Sequence, residues 1–92
     1  MYLEIVSPEA TLFAGEVTSV TVPGINGEFQ MLNNHAPIIS LLQAGEVKIQ
    51  GNLSISENFE KKFSKDSSGK TILRITSGTV EMKNNKITVL AD

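Results

Sequence analysis

Apolar and polar residues alternate with a period of two along much of the chain, the repeat of strands that bury one face. After Gly45, the run Glu46-Val47-Lys48-Ile49-Gln50 places Val47 and Ile49 on one side and polar residues on the other. Near the carboxyl end, Thr79–Lys83 and Lys86–Leu90 flank Asn84 and Asn85. Asn tolerates the left-handed backbone of a two-residue turn, so this stretch predicts a hairpin. Closing it sets Met82 opposite Ile87 and Val80 opposite Val89 on one face, with Glu81 opposite Thr88 on the other. Leu3–Ser7 and Val17–Val22 also read as strands, punctuated by Pro8, Gly15 and the turn cluster from Pro23 to Gly27. Val17 is out of phase with Val20 and Val22, which implies a bulge or partial cover on both faces. Ile38, Ile39, Leu41 and Leu42 would fit a helix face, but Pro37 and Gly45 leave too few residues for a helix. The segment Pro37–Gln43 therefore predicts a strand buried on both sides. A sheet in so short a chain cannot cover both its faces alone, which points to a partner.

From Gly51 to Lys70 the pattern weakens. Leu53 and Ile55 alternate with serines and suggest a strand extension, Phe59 and Phe63 fit one helical turn, and Lys65–Lys70 reads as an exposed, mobile loop. No segment repeats, and the 92 residues form one domain over 1–92, with 51–70 as a variable connection.

Composition narrows the chemistry. There is no Cys and one His, so disulfides, thiolate nucleophiles and imidazole metal clusters are excluded. With 8 Lys+Arg against 10 Asp+Glu, the formal charge of −2 does not suit a nucleic-acid binder. The distribution is more informative than the sum. Met1 to Val47 holds five acids (Glu4, Glu9, Glu16, Glu28, Glu46) and no Lys or Arg, while all eight basic residues lie between Lys48 and Lys86. Such asymmetry marks a surface for a basic partner or is averaged out by folding. No apolar run approaches the ~20 residues of a membrane span, and Glu4 stands where a signal peptide would be basic, so the expectation is a soluble, unsecreted protein without direct membrane insertion. The formal glycosylation sequon at Asn52 is then a chance match.

His35 would need a carboxylate or nucleophile and a pocket to act in catalysis, and the sequence shows neither; the plainer reading is a hydrogen bond within a turn among Asn33, Asn34 and Pro37. Gly24 and Gly27 do not form a phosphate loop, because Glu28 follows where Gly-Lys-Ser/Thr is required. The carboxylates are scattered, and no acid pair stands out.

Several motifs carry a resemblance. Leu12-Phe13-Ala14-Gly15-Glu16-Val17, then Pro23-Gly24 through Gly27-Glu28-Phe29, then Asn34-His35-Ala36-Pro37, then Val80-Glu81-Met82 with Ile87-Thr88-Val89-Leu90-Ala91-Asp92 together resemble the epsilon subunit of F-type ATP synthase. The match runs in order over most of the chain; Gly51–Lys70 has no clear counterpart. Gln30 and Asn33 stand where Gly and Pro are common, and Ser77-Gly78 replaces a glycine pair, with Thr79 at a position often aromatic.

The resemblance implies an all-β fold, a flattened β-sandwich of about ten short strands, without the C-terminal helical hairpin that follows the sandwich in many members. It implies a non-catalytic rotor subunit of the central stalk, with no cofactor. Its partners would be the gamma subunit and the membrane c-ring, at the cytoplasmic face of the bacterial inner membrane, coupling ion translocation to ATP synthesis. By the same resemblance, Asn26, Gly27, Glu28, Phe29 and His35 would face the c-ring. Glu28 would there make charge-assisted hydrogen bonds to polar and basic loops, or else remain a solvated turn residue. Gly27 would serve through a positive φ. Ile38, Ile39, Leu41 and Leu42 would be either a gamma-facing region or core. A free-standing binding module or assembly factor is the alternative, and a small hydrolase using His35 a remote third.

Overall fold

A computed structural model describes residues Met1–Asp92. It contains ten strands: β1 (Tyr2–Val6), β2 (Thr11–Glu16), β3 (Ser19–Gly24), β4 (Gly27–Leu32), β5 (Ile38–Leu42), β6 (Gly45–Gln50), β7 (Phe63–Lys65), β8 (Thr71–Ile75), β9 (Gly78–Lys83) and β10 (Lys86–Ala91). The all-β expectation holds. The only helical piece is a single 3₁₀ turn, Glu60–Lys62, at the place where Phe59 and Phe63 predict one.

The strands form one continuous sheet that curls into two leaves, β2-β1-β10-β9-β5 and β4-β3-β6-β8-β7. The leaves are joined where β3 meets β5 through the single pair Gly24 and Leu42. β3 is buried along its whole length. One of its edges pairs with β4 throughout, while the other pairs with β6 only as far as Thr21. Pro23, which has no N–H to donate, falls in the gap before β5 begins, and its carbonyl accepts from the Gln43 amide at 2.9 Å. Overall extents of 32 × 27 × 24 Å make the flattening modest.

The core lies between the leaves. Leu3, Ile5, Val80, Met82, Ile87 and Val89 come from one leaf, and Val20, Val22, Met31, Val47, Ile49 and Leu73 from the other, all within one apolar cluster. Each fully buried aliphatic side chain stabilises the fold by about 1.5–3 kcal/mol.

The carboxyl-terminal hairpin has the predicted register, with Met82 opposite Ile87, Val80 opposite Val89 and Glu81 opposite Thr88. Asn84 (φ 52°) and Asn85 (φ 61°) both adopt the left-handed conformation that such a turn requires. β10 then pairs in parallel with β1, which brings the first and last strands together inside one leaf. Gly78 is required by close approach, because a Cβ there would run into the carbonyl oxygen of Leu90.

Of the two readings of Val17, cover on both faces holds: β3 is buried at every position, and Val17 itself lies buried in the connection between β2 and β3, so no bulge is needed. Two expectations are corrected. Leu53 and Ile55 do not extend β6. Past Gln50 neither neighbouring strand offers a pairing residue, and the two side chains instead rest, half-buried, against the core. The strand Ile38–Leu42 is not buried on both sides, as its two faces described below show.

Candidate recognition surface

The β3–β4 hairpin carries most of the predicted contact residues. Ile25 and Asn26 form its tip, and Gly27 follows with φ of 122°, a backbone region that side chains disfavour. Gly24 cannot carry a side chain either, since a Cβ there would come within 2.8 Å of both the Gly27 carbonyl oxygen and the Phe29 ring. Phe29 thus braces the hairpin from the core side, against which it is packed, while Asn26, Gly27 and Glu28 stay exposed. The tip is tied to β5: the Ile25 amide donates to the Leu41 carbonyl (3.3 Å) and the Gln43 side-chain amide to the Gly24 carbonyl (3.0 Å).

Folding redistributes the segregated charge. Lys48 Nζ lies 3.0 Å from Glu28 Oε2, Arg74 Nη2 lies 3.0 Å from Glu46 Oε2, and Lys86 Nζ lies 3.7 Å from Glu4 Oε1. Each pair joins an acid of the first half to a base of the second. The Glu28 hydrogen bond and charge raise the pKa of Lys48 above its ordinary value. Of the two readings of the asymmetry, the pairs favour averaging, because folding sets β1 beside β10 and β6 beside β8, each an acid-bearing strand next to a base-bearing one. Glu28 nevertheless remains half-exposed.

β5 alternates. Ile38 and Leu42 turn toward the core, whereas Ile39 is 76% and Leu41 58% exposed. The ladder sets Leu41, Thr79, Leu90 and Val6 in one row across the outside of the leaf, and Ile39, Glu81, Thr88 and Glu4 in the next. Leu90 is also half-exposed, so the outer face holds an apolar stripe through Leu41 and Leu90, with Ile39 beside it, that nothing in the chain covers; Tyr2 stands apart, next to Lys86 and beyond the row of Glu81, Thr88 and Glu4. Sequence periodicity alone could not have separated the two faces of β5, because both are apolar.

His35 is not beside the hairpin tip. It follows Leu32 at the opposite end of β4, about five residues and so roughly 17 Å along the strand. Its ring Nδ1 donates to the Ala36 carbonyl (2.7 Å) and its backbone amide to the Leu32 carbonyl (3.1 Å), a turn role that agrees with the plainer expectation. Next to it, Asn33 Oδ1 accepts from the Asn85 side-chain amide (3.0 Å) and Asn85 Oδ1 accepts from the Asn34 amide (2.8 Å), which fastens the β4–β5 loop to the carboxyl-terminal hairpin. No motif in the sequence points to this link. A depression of about 400 Å³ bounded by Ser7, Leu12, Lys62, Arg74 and Asp92 does not include His35.

Fold and surface together define an all-β module that presents a braced hairpin tip and an apolar stripe. The sequence profile described as the ATP synthase delta/epsilon chain β-sandwich domain matches residues 1–92. The ATP synthase epsilon chain of Chlorobaculum tepidum is 37% identical over 90 residues, covering 98% of this chain and 86% of that one. That of Wolinella succinogenes is 40% identical over 91 residues, covering 98% of this chain and 58% of that one. Among solved structures, a chain of the Tetrahymena thermophila mitochondrial ATP synthase central stalk and c-ring superposes with a TM-score of 0.73 at 16% identity, covering 99% of this chain and 62% of that one. The chain belongs to the ATP synthase epsilon-chain family, as its N-terminal β-sandwich domain, a non-catalytic component.

Proposed function

We propose that the protein is a central-stalk subunit of a rotary ATP synthase that joins the gamma subunit to the c-ring and so couples ion translocation to ATP synthesis at the membrane surface. Family membership supports the central-stalk role, and the observation that carries the attachment to two partners is the presence of two chemically distinct surfaces, an uncovered apolar stripe and a braced polar tip. The stripe through Ile39, Leu41 and Leu90 is assigned to gamma, since apolar area of that kind is stabilised by a constitutive partner. The tip formed by Asn26, Gly27 and Glu28 is assigned to the ring. Phe29 acts from beneath as its brace. His35, at the far end of β4, joins the same contact only where the ring runs along that strand's free edge. Ile38 and Leu42 belong to the core side and not to the gamma contact.

The test is affinity capture of the chain from its own membranes under mild detergent. Recovery of both gamma and c subunits is expected; capture of neither would favour the free-standing binding module.

A further inference from the structure

Asn26 and Gly27 form the pair in which an asparagine side chain is most readily attacked by the next backbone nitrogen, because glycine has no Cβ to obstruct the approach. We infer that Asn26 is a site of spontaneous deamidation, which makes the hairpin tip slowly gain a carboxylate or isoaspartate with age. Three observations carry this. Asn26 is exposed at the turn, and its side chain takes no part in the hydrogen bonds that stitch the hairpin to β5. A Cβ added at Gly27 would meet nothing within 4 Å, so Gly27 is not packed against other parts of the fold that would hold it in place. The other asparagines precede larger residues, and Asn33, Asn34 and Asn85 are further held in the network linking the β4–β5 loop to the carboxyl-terminal hairpin.

In the reaction the Gly27 nitrogen loses its proton and bonds to Asn26 Cγ, and the bond from Cγ to Nδ2 breaks, releasing ammonia. Water then opens the cyclic imide at either carbonyl, leaving aspartate or isoaspartate; the net change is one water in and one ammonia out. Gly27 must first leave its pairing with Gly24, which lies at the very end of the β3–β4 ladder, where opening costs least. The product adds one negative charge to the formal −2, two residues from Glu28. Its effect on the rotor rests on the proposed ring contact; the modification itself does not.

The intact protein is aged in mildly alkaline native buffer and cleaved after glutamate. Fragment Val17–Glu28 contains Asn26 as its only asparagine, and fragment Phe29–Glu46 contains Asn33 and Asn34 as internal controls. The first fragment is expected to gain about 1 Da and to accept methyl groups from an isoaspartyl methyltransferase, ahead of the second. N26Q should abolish the gain. An unchanged Val17–Glu28 mass, or equal conversion of the control fragment, overturns the inference. Because this readout involves no ring, its failure leaves the ring contact standing; unaltered c-ring retention of converted protein would count against the ring contact alone.

Discussion

Replacing Ile39 by Ala separates a docking face from a core face on the same strand. Fully burying an isoleucine is worth about 1.5–3 kcal/mol. Ile39 is 76% exposed in the free protein, so only a quarter of that gain is already realised. Ile39→Ala should lower folding stability by about 0.5 kcal/mol. Ile87 is fully buried, and its truncation should cost about 2–5 kcal/mol, because a cavity remains in addition to the lost transfer energy. If gamma covers the stripe, the remaining three quarters of the Ile39 side chain are buried only on docking. The variant should then bind gamma about 5- to 30-fold more weakly, equivalent to about 1–2 kcal/mol. Urea unfolding of the two variants, followed by titration of Ile39→Ala with purified gamma, measures both effects. Unfolding of Ile39→Ala at the midpoint seen for Ile87→Ala would refute the outward placement of Ile39. Native gamma affinity with native stability would refute the docking assignment while leaving the fold intact.

Glu28→Lys should weaken c-ring retention, most at low salt, because screening reduces such contacts; retention unchanged across salt concentrations would remove Glu28 from the contact. Gly78→Ala should destabilise the fold by about 1–3 kcal/mol, since its Cβ meets the backbone of Leu90, not a flexible side chain; thermal unfolding checks it. Asp66 closes the turn before β8, with Oδ1 accepting from the Ser68 hydroxyl (2.8 Å), the Lys70 amide (2.9 Å) and the Ser68 amide (2.9 Å). The Ser68 side-chain bond first, then the Lys70 amide, hold its carboxyl below the ordinary carboxylate range. A folded-state pKa below the unfolded one means that the turn's stabilisation is present above the unfolded value and is lost as pH falls through the folded one. Amide exchange at Ser68 and Lys70 should therefore quicken at acid pH, after allowance for intrinsic rates, and Asp66→Ala should remove that dependence.

The parts of the fold legible in the sequence are those where local chemistry and tertiary placement agree. Asn84 and Asn85 mark their turn because few residues accept two successive positive φ angles, and the flanking alternation then sets the register. β6 is legible because one of its faces is truly polar. β5 misleads because an apolar face open to solvent and an apolar face in a core have the same composition. β2, β4, β7 and β8 are not separately legible; Thr71-Ile72-Leu73-Arg74-Ile75 does not alternate, and β8 is buried at every position but Arg74. For the contact residues, Gly27's backbone role was readable from the turn cluster. The bracing of the hairpin by Phe29, the pairing of Glu28 with Lys48 and the separation of His35 from the tip all depend on which strands become neighbours, and no short motif encodes that.

The parallel pairing of β1 with β10 has a mechanical consequence. Tyr2 to Val6 lie alongside Lys86 to Leu90 in five consecutive pairs, running in the same direction. A pull on the leading end of β1 and the trailing end of β10 therefore loads the connecting hydrogen bonds together, in shear, and does not peel them apart one by one. In the proposed rotor role, this seam in the interior of a leaf would help carry torque, because it resists sliding collectively even where each bond is individually weak.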